Sequence, residues 1–129
     1  MRVLRLAGHA EEDIVSILAW SLEKFGSAAC RRYEVLLVTA FEGLCANPER
    51  LGSITRPEFG AAIRTYHLRF SRDEARTLEG IVHQPRHLLV YRAVGGWAIE
   101  IVRVLHDSME LERHLPQLGK DEEPEESKG

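Results

Sequence analysis

Residues 86–106 read RHLLVYRAVGGWAIEIVRVLH, and the choice of fold turns on them. Arg86 to Val94 is nearly continuous in apolar residues, as a strand in the middle of a sheet is. Gly95-Gly96 marks a hairpin turn. Trp97 to His106 is a second run rich in β-branched residues (Ile99, Ile101, Val102, Val104). Two such runs joined by a tight turn pair antiparallel. Upstream, Thr65 to Ser71 alternates, with Tyr66, Leu68 and Phe70 on one face and Thr65, His67, Arg69 and Ser71 on the other, which predicts a further strand.

The N-terminal half has a different period. Val3 to Leu6 is a short, weakly patterned strand, and Gly8 breaks it. Glu11, Glu12 and Asp13 stand where the positive end of a helix dipole favours acids. Behind them Ile14, Ile17, Leu18, Ser21, Leu22 and Phe25 form a helical stripe. Gly26 is expected as a left-handed cap and Ser27 as the cap of the next helix. There Ala29, Tyr33, Leu36, Leu37, Ala40, Phe41 and Leu44 make a second stripe, ended by Asn47-Pro48. Helices joined this closely fold back as a hairpin. The fold class is therefore α+β: an N-terminal strand and a helical hairpin packed on a small antiparallel β-sheet, then a short C-terminal helical or extended segment. Residues 72–85 read as a loop or a short helix. Residues 1–118 form a single domain, and 119–129 read as an acidic disordered tail.

The chain has 129 residues, 44% hydrophobic and 29% charged, the balance of an ordinary soluble domain. That excludes a collagen-like or wholly disordered chain. No apolar run approaches the ~20 residues a membrane span needs, and no signal-like segment follows Met1, so the expected location is cytoplasmic. Cys30 and Cys45 fall on one predicted helix, ~22 Å apart at ~1.5 Å per residue, beyond disulfide reach. Outside the tail, acids and bases balance, but fourteen of the fifteen bases are arginine. Arginine suits bidentate pairing with carboxylate or phosphate; a GC-rich genome is the plainer explanation.

No phosphate loop, CxxC pair or nucleophile elbow is present. His83 and His87 have helical metal-ligand spacing, but Pro85 between them disfavours that helix, so they read as solvated loop histidines and no metal or cofactor is expected. The three acids at 11–13 are explained by the helix dipole. Arg103 interrupts an apolar strand, which marks a sheet edge, a paired ion or a functional face. Arg64, Arg103 and His106 gathered near one sheet face would suit an anion such as RNA phosphate or the acidic side chains of a partner. Separate pairing of each arginine with a surface carboxylate is the bland alternative.

Ala10 to Gly26 (AEEDIVSILAWSLEKFG), the helix ending Leu44 to Pro48, Arg64 opening a strand after Gly60, Pro85 to Arg92 (PRHLLVYR) and above all Ile99 to Pro116 (IEIVRVLHDSMELERHLP) together resemble the RelE/ParE toxin superfamily, on the ParE side. Arg103, Val104, Leu105 and His106 carry the closing motif of ParE-like plasmid-stabilisation toxins. The resemblance implies the toxin of a type II toxin–antitoxin module. A ParD-like antitoxin would neutralise it, DNA gyrase would be inhibited by protein binding, and any DNA contact would be indirect, through the antitoxin. A toxin dimer or a heterotetramer with antitoxin fits the same picture. Target binding would fall to Arg103, His106, Met109 and Arg113, and antitoxin binding to Trp20, Met109 and Leu111. RelE-like members cleave ribosome-bound mRNA. Here that alternative would rest on Arg64, Arg103 and His106, and it ranks second because His106-Asp107-Ser108-Met109 replaces a basic run and no tyrosine follows Tyr91.

Overall fold

A computed structural model describes residues 1–109 together with Leu111 and Arg113. The chain forms β1 (Val3–Leu6), α1 (Gly8–Phe25), α2 (Ser27–Ala46), β2 (Ser53–Thr55), β3 (Arg64–His67), β4 (His87–Val94) and β5 (Ala98–His106). The five strands make one sheet in the order β1-β5-β4-β3-β2. Four of them are antiparallel, as expected; β1 lies parallel to β5 and makes the sheet mixed. This geometry follows from the connection, because β1 reaches β5 only after the helical hairpin has crossed one face.

That face carries the main core. Leu36, Leu37, Ala40, Phe41 and Leu44 of α2 are buried against Tyr66, Leu89, Tyr91, Ile99, Ile101 and Val104, with Ile14, Ile17 and Leu18 of α1 half-buried beside them. Burial of this kind makes each Leu worth about 2–5 kcal/mol against truncation to Ala. A smaller cluster (Ile63, Val90, Val102, Leu105) lies apart from it, with Phe59, Leu88 and Leu111 packed against it.

Several elements differ from the reading of the sequence. α1 starts at Gly8, so its first turn holds only Glu11, and Glu12 and Asp13 sit further into the helix. Gly26 joins the helices with φ +93° and ψ 175°, a region glycine tolerates, but extended and not left-handed helical. Ser27 is already helical and makes no cap hydrogen bond. The strand expected over Thr65–Ser71 stops at His67 and tightens into a 3-10 turn over Leu68–Ser71. The hairpin turn keeps Gly95 at φ +58°, and strand pairing resumes at Ala98, one residue after Trp97. Residues 72–85 form a loop with a Thr77–Gly80 bridge, tied to α2 by Arg31–Glu79 (2.8 Å) and to the turn after α2 by Arg50–Glu74 (3.0 Å). The tail expected at 119–129 lies outside the described residues.

β5 carries the most consequential irregularity. Val90 faces Arg103 but Tyr91 faces Ile101, so Val102 is an extra residue, a β-bulge. The bulge reverses the alternation. Ile99 and Ile101 join the main core and so does Val104, while Val102 and Leu105 join the second cluster.

Candidate functional site

Arg103 is the residue on which the sequence reading leaned, and the structure places it in an internal ion pair. Its Nε donates to Asp13 Oδ2 (2.8 Å) and its Nη2 to Asp13 Oδ1 (3.1 Å). The same Oδ2 accepts the Val104 backbone N–H (2.9 Å). Both side chains are more than four-fifths buried. The reason is topological. β1 ends at Leu6, and Ala7 N–H closes the ladder on the Ile101 carbonyl. Beyond that point β5 has no strand beside it, and Asp13 reaches the open edge. Asp13 is thus a partner for β5 and not a helix-dipole acid, and the paired carboxylate raises the Arg103 pKa above its ordinary value. Arg103 is no exposed contact for a target.

Arg64, Arg103 and His106 are not brought together. Arg64 lies opposite Tyr91, and His106 lies opposite His87, four rows away along β4, or about 13 Å at ~3.3 Å per residue. Arg92, near the turn, pairs with Glu100 directly across the hairpin (2.8 Å).

Around His106 the structure assembles a group that the sequence separates widely: Tyr33 of α2, His67 at the end of β3, Arg86 and His87 at the start of β4, and Asp107 after β5. Tyr33 O accepts the Arg86 N–H (3.1 Å), and the same hydroxyl is hydrogen-bonded to His87 Nδ1 (2.6 Å). Burial pushes the Tyr33 hydroxyl up to about 12 and pulls His87 down to about 4, with His106 adding to the second effect. His87 is therefore a half-buried neutral imidazole and not a solvated loop histidine. The His87 and His106 rings meet edge to face, 5.3 Å between centroids. The Arg69 N–H donates to His67 Nδ1, which leaves the proton of neutral His67 on Nε2, facing Asp107 Oδ2 (3.0 Å). Arg86 also holds Asp107 (3.1 Å). Burial opposes ionisation of Asp107, but the hydrogen bonds from His67 and Arg86 outweigh it and keep its carboxyl below the usual range.

The protonation pattern limits the chemistry. Nδ1 of His106 accepts the Ser108 N–H (3.1 Å). His67 and His106 each accept a backbone N–H at Nδ1, which leaves Nε2 to carry the proton of the neutral ring. Asp107 is already held by the His67 ring and the Arg86 guanidinium. The group presents hydrogen-bond donors to an acceptor, and its one carboxylate is already engaged. Among the described residues no group of three His, Cys, Asp or Glu side chains is placed to hold a metal ion, and no helix is long and apolar enough to cross a membrane.

Of the apolar positions singled out, Trp20 is 53% exposed and stacks edge to face on Phe25 (5.4 Å), itself 65% exposed, near the tip of the helical hairpin. Leu22 beside them is also exposed. Phe25 and Leu22 were read as core stripe, because a helical period shows a face and not where that face stops. Met109 is exposed. Leu111 is not a free surface, since it packs on the second cluster. Arg113 is exposed and helical.

No curated protein is similar enough in sequence to count as a relative. A solved structure described as the chromosomal ParDE TA system from P. aeruginosa superposes with a TM-score of 0.57 at 16% identity, over 82% of this chain and 96% of that one, which establishes a shared fold. The family model for the ParE toxin of type II toxin–antitoxin systems, parDE, matches residues 4–111, nearly the whole described chain, and on that ground the protein belongs to the ParE toxin family.

Proposed function

We propose that this toxin is neutralised by a ParD-like antitoxin and inhibits DNA gyrase by protein binding, without cleaving RNA. The observation that carries the neutralisation half is the stacked, exposed pair Trp20–Phe25 with Leu22 beside it. A large apolar surface on a small helical hairpin fits the apolar anchors of an amphipathic partner segment. The target half is supported by family membership and by what the sheet end lacks. The arginines of the nuclease alternative stand apart from His106, one of them locked to Asp13, and the acid beside His106 is already held by His67 and Arg86. His106, Met109 and Arg113, on and beyond the end of β5, are the residues we assign to target contact. Arg103 acts on them indirectly by holding β5 against α1.

A supercoiling assay with purified toxin tests both halves. Stoichiometric toxin should block gyrase, and added antitoxin should restore supercoiling. Trp20→Glu with Phe25→Glu should weaken that rescue at least tenfold while inhibition persists. Full supercoiling in excess toxin, together with codon-phased mRNA cuts on induction, overturns the reading in favour of an mRNA interferase.

A further inference from the structure

At the end of the sheet opposite the histidines lies a cavity of about 560 Å³, within the range of small-molecule sites. Arg2 and Arg64 line it, with Thr55, Asn47 and Glu49. The Arg64 guanidinium is preset: its Nε donates to Ser53 Oγ (2.7 Å), Ser53 is hydrogen-bonded to the Tyr91 hydroxyl, and Tyr91 donates to the Pro48 carbonyl (2.5 Å). This chain fixes the Nε and keeps the guanidinium against the Tyr91 hydroxyl. Among the described residues no carboxylate lies within 4.0 Å of Arg64 or Arg2. The Arg2 Nε is enclosed without a hydrogen-bond partner, so Arg2 meets the cavity with the rest of its side chain. The carbonyl end of α2, which accepts the Arg2 backbone N–H through Cys45, accounts for a positive charge there, but it leaves that Nε–H unbonded.

We propose that this cavity binds a phosphate monoester on a molecule of nucleoside-monophosphate size. The donors converge from different elements: Arg2 before β1, Thr55 on β2, Arg64 on β3, and the Asn47 amide, whose oxygen already accepts the Glu49 N–H. A tetrahedral oxyanion can meet donors from several directions, whereas a planar carboxylate is satisfied by one guanidinium fork. Pro57 and Ala62, both exposed, add an apolar rim against which a ring can lie. Glu49 is the opposing feature, a carboxylate at the same cavity that makes the fit selective and the binding weaker. The phosphate can come from a free nucleotide or from the 5′ end of a nucleic-acid strand; the chemistry is shared.

Calorimetric titration of the full chain at low salt tests this, with AMP, adenosine, inorganic phosphate, and a short oligonucleotide with and without a 5′-phosphate. AMP and phosphate should bind, and adenosine at least tenfold more weakly than AMP. Arg64→Gln and Arg2→Gln should each cost tenfold or more in AMP affinity, Glu49→Gln should gain severalfold, and Arg69→Gln, outside the cavity, should change nothing. If Arg64→Gln fails to fold, Arg64→Lys keeps the charge, loses the Ser53 tether and should bind at an intermediate level. A phosphorylated oligonucleotide tenfold tighter than AMP identifies a strand end as the source, and equal or weaker binding a free nucleotide. Adenosine binding as well as AMP, AMP affinity unchanged in natively folded arginine variants, or a Glu-rich peptide binding where no phosphate does, overturns the proposal. The assay contains neither antitoxin nor gyrase, so it fails or succeeds independently of the toxin's target.

Discussion

Arg103 and Asp13 are ninety residues apart in sequence and share two hydrogen bonds, with Val104 N–H as a third. Removing one member leaves the other charge largely buried and unpaired. Asp13→Ala should therefore cost about 2–4 kcal/mol in urea unfolding, and a cycle with Arg103→Ala should show coupling above about 1 kcal/mol. Unchanged stability in Arg103→Ala would return that side chain to the solvent-facing role its position in the motif first suggested. His87 gives a pH prediction of definite sign. Its folded pKa, about 4, lies below the ordinary value of 6.5, so the unfolded chain binds the proton more readily. The contribution is complete above pH 6.5 and is lost as pH falls towards 4, by about 1–2 kcal/mol after allowance for partial exposure. The melting temperature should drop across that window and drop less in His87→Gln. Asp107, whose pKa is lowered, acts in the lower window beneath its ordinary value of 3.8, so the two effects separate in a titration.

Among the elements, both helices and the β4–β5 hairpin are legible from apolar period and turn residues alone. β2 was not, because three residues cannot display a period. The end of β3 was misplaced for a related reason: alternation through Phe70 continues in the sequence, but the backbone tightens after His67, where the ring accepts the Arg69 N–H. Glycine conformation supplies the test at this scale. At Gly26 an added Cβ meets nothing within 4 Å, so Gly26→Ala costs backbone strain alone, about 1–3 kcal/mol by thermal unfolding. At Gly52 the φ is +102° and the Cβ would fall 2.6 Å from the Phe70 ring. Gly52→Ala should therefore cost clearly more than Gly26→Ala, and equal costs would show that Phe70 swings away freely.

For the whole molecule, the exposed aromatic pair at the hairpin tip and the histidine group at one sheet end are the surfaces through which partners would act. Trp20→Glu with Phe25→Glu should raise the solubility of toxin expressed alone, measured as soluble yield, and should abolish the further rise on co-expression with antitoxin. Sequence by itself determined the α+β class, the hairpin of helices and the ParE resemblance, because these depend on local period, turn chemistry and motif order, which the chain writes out residue by residue. Tertiary structure decided what each charged group does. Arg103 meets Asp13 only because β1 stops short of the end of β5, Tyr33 meets His87 only because α2 crosses the start of β4, and Arg2 and Arg64 share a cavity only because β1 and β3 both begin beside the end of α2. Such pairings join residues far apart in the chain, and the bulge in β5 shifts strand alternation by one; no local pattern records either.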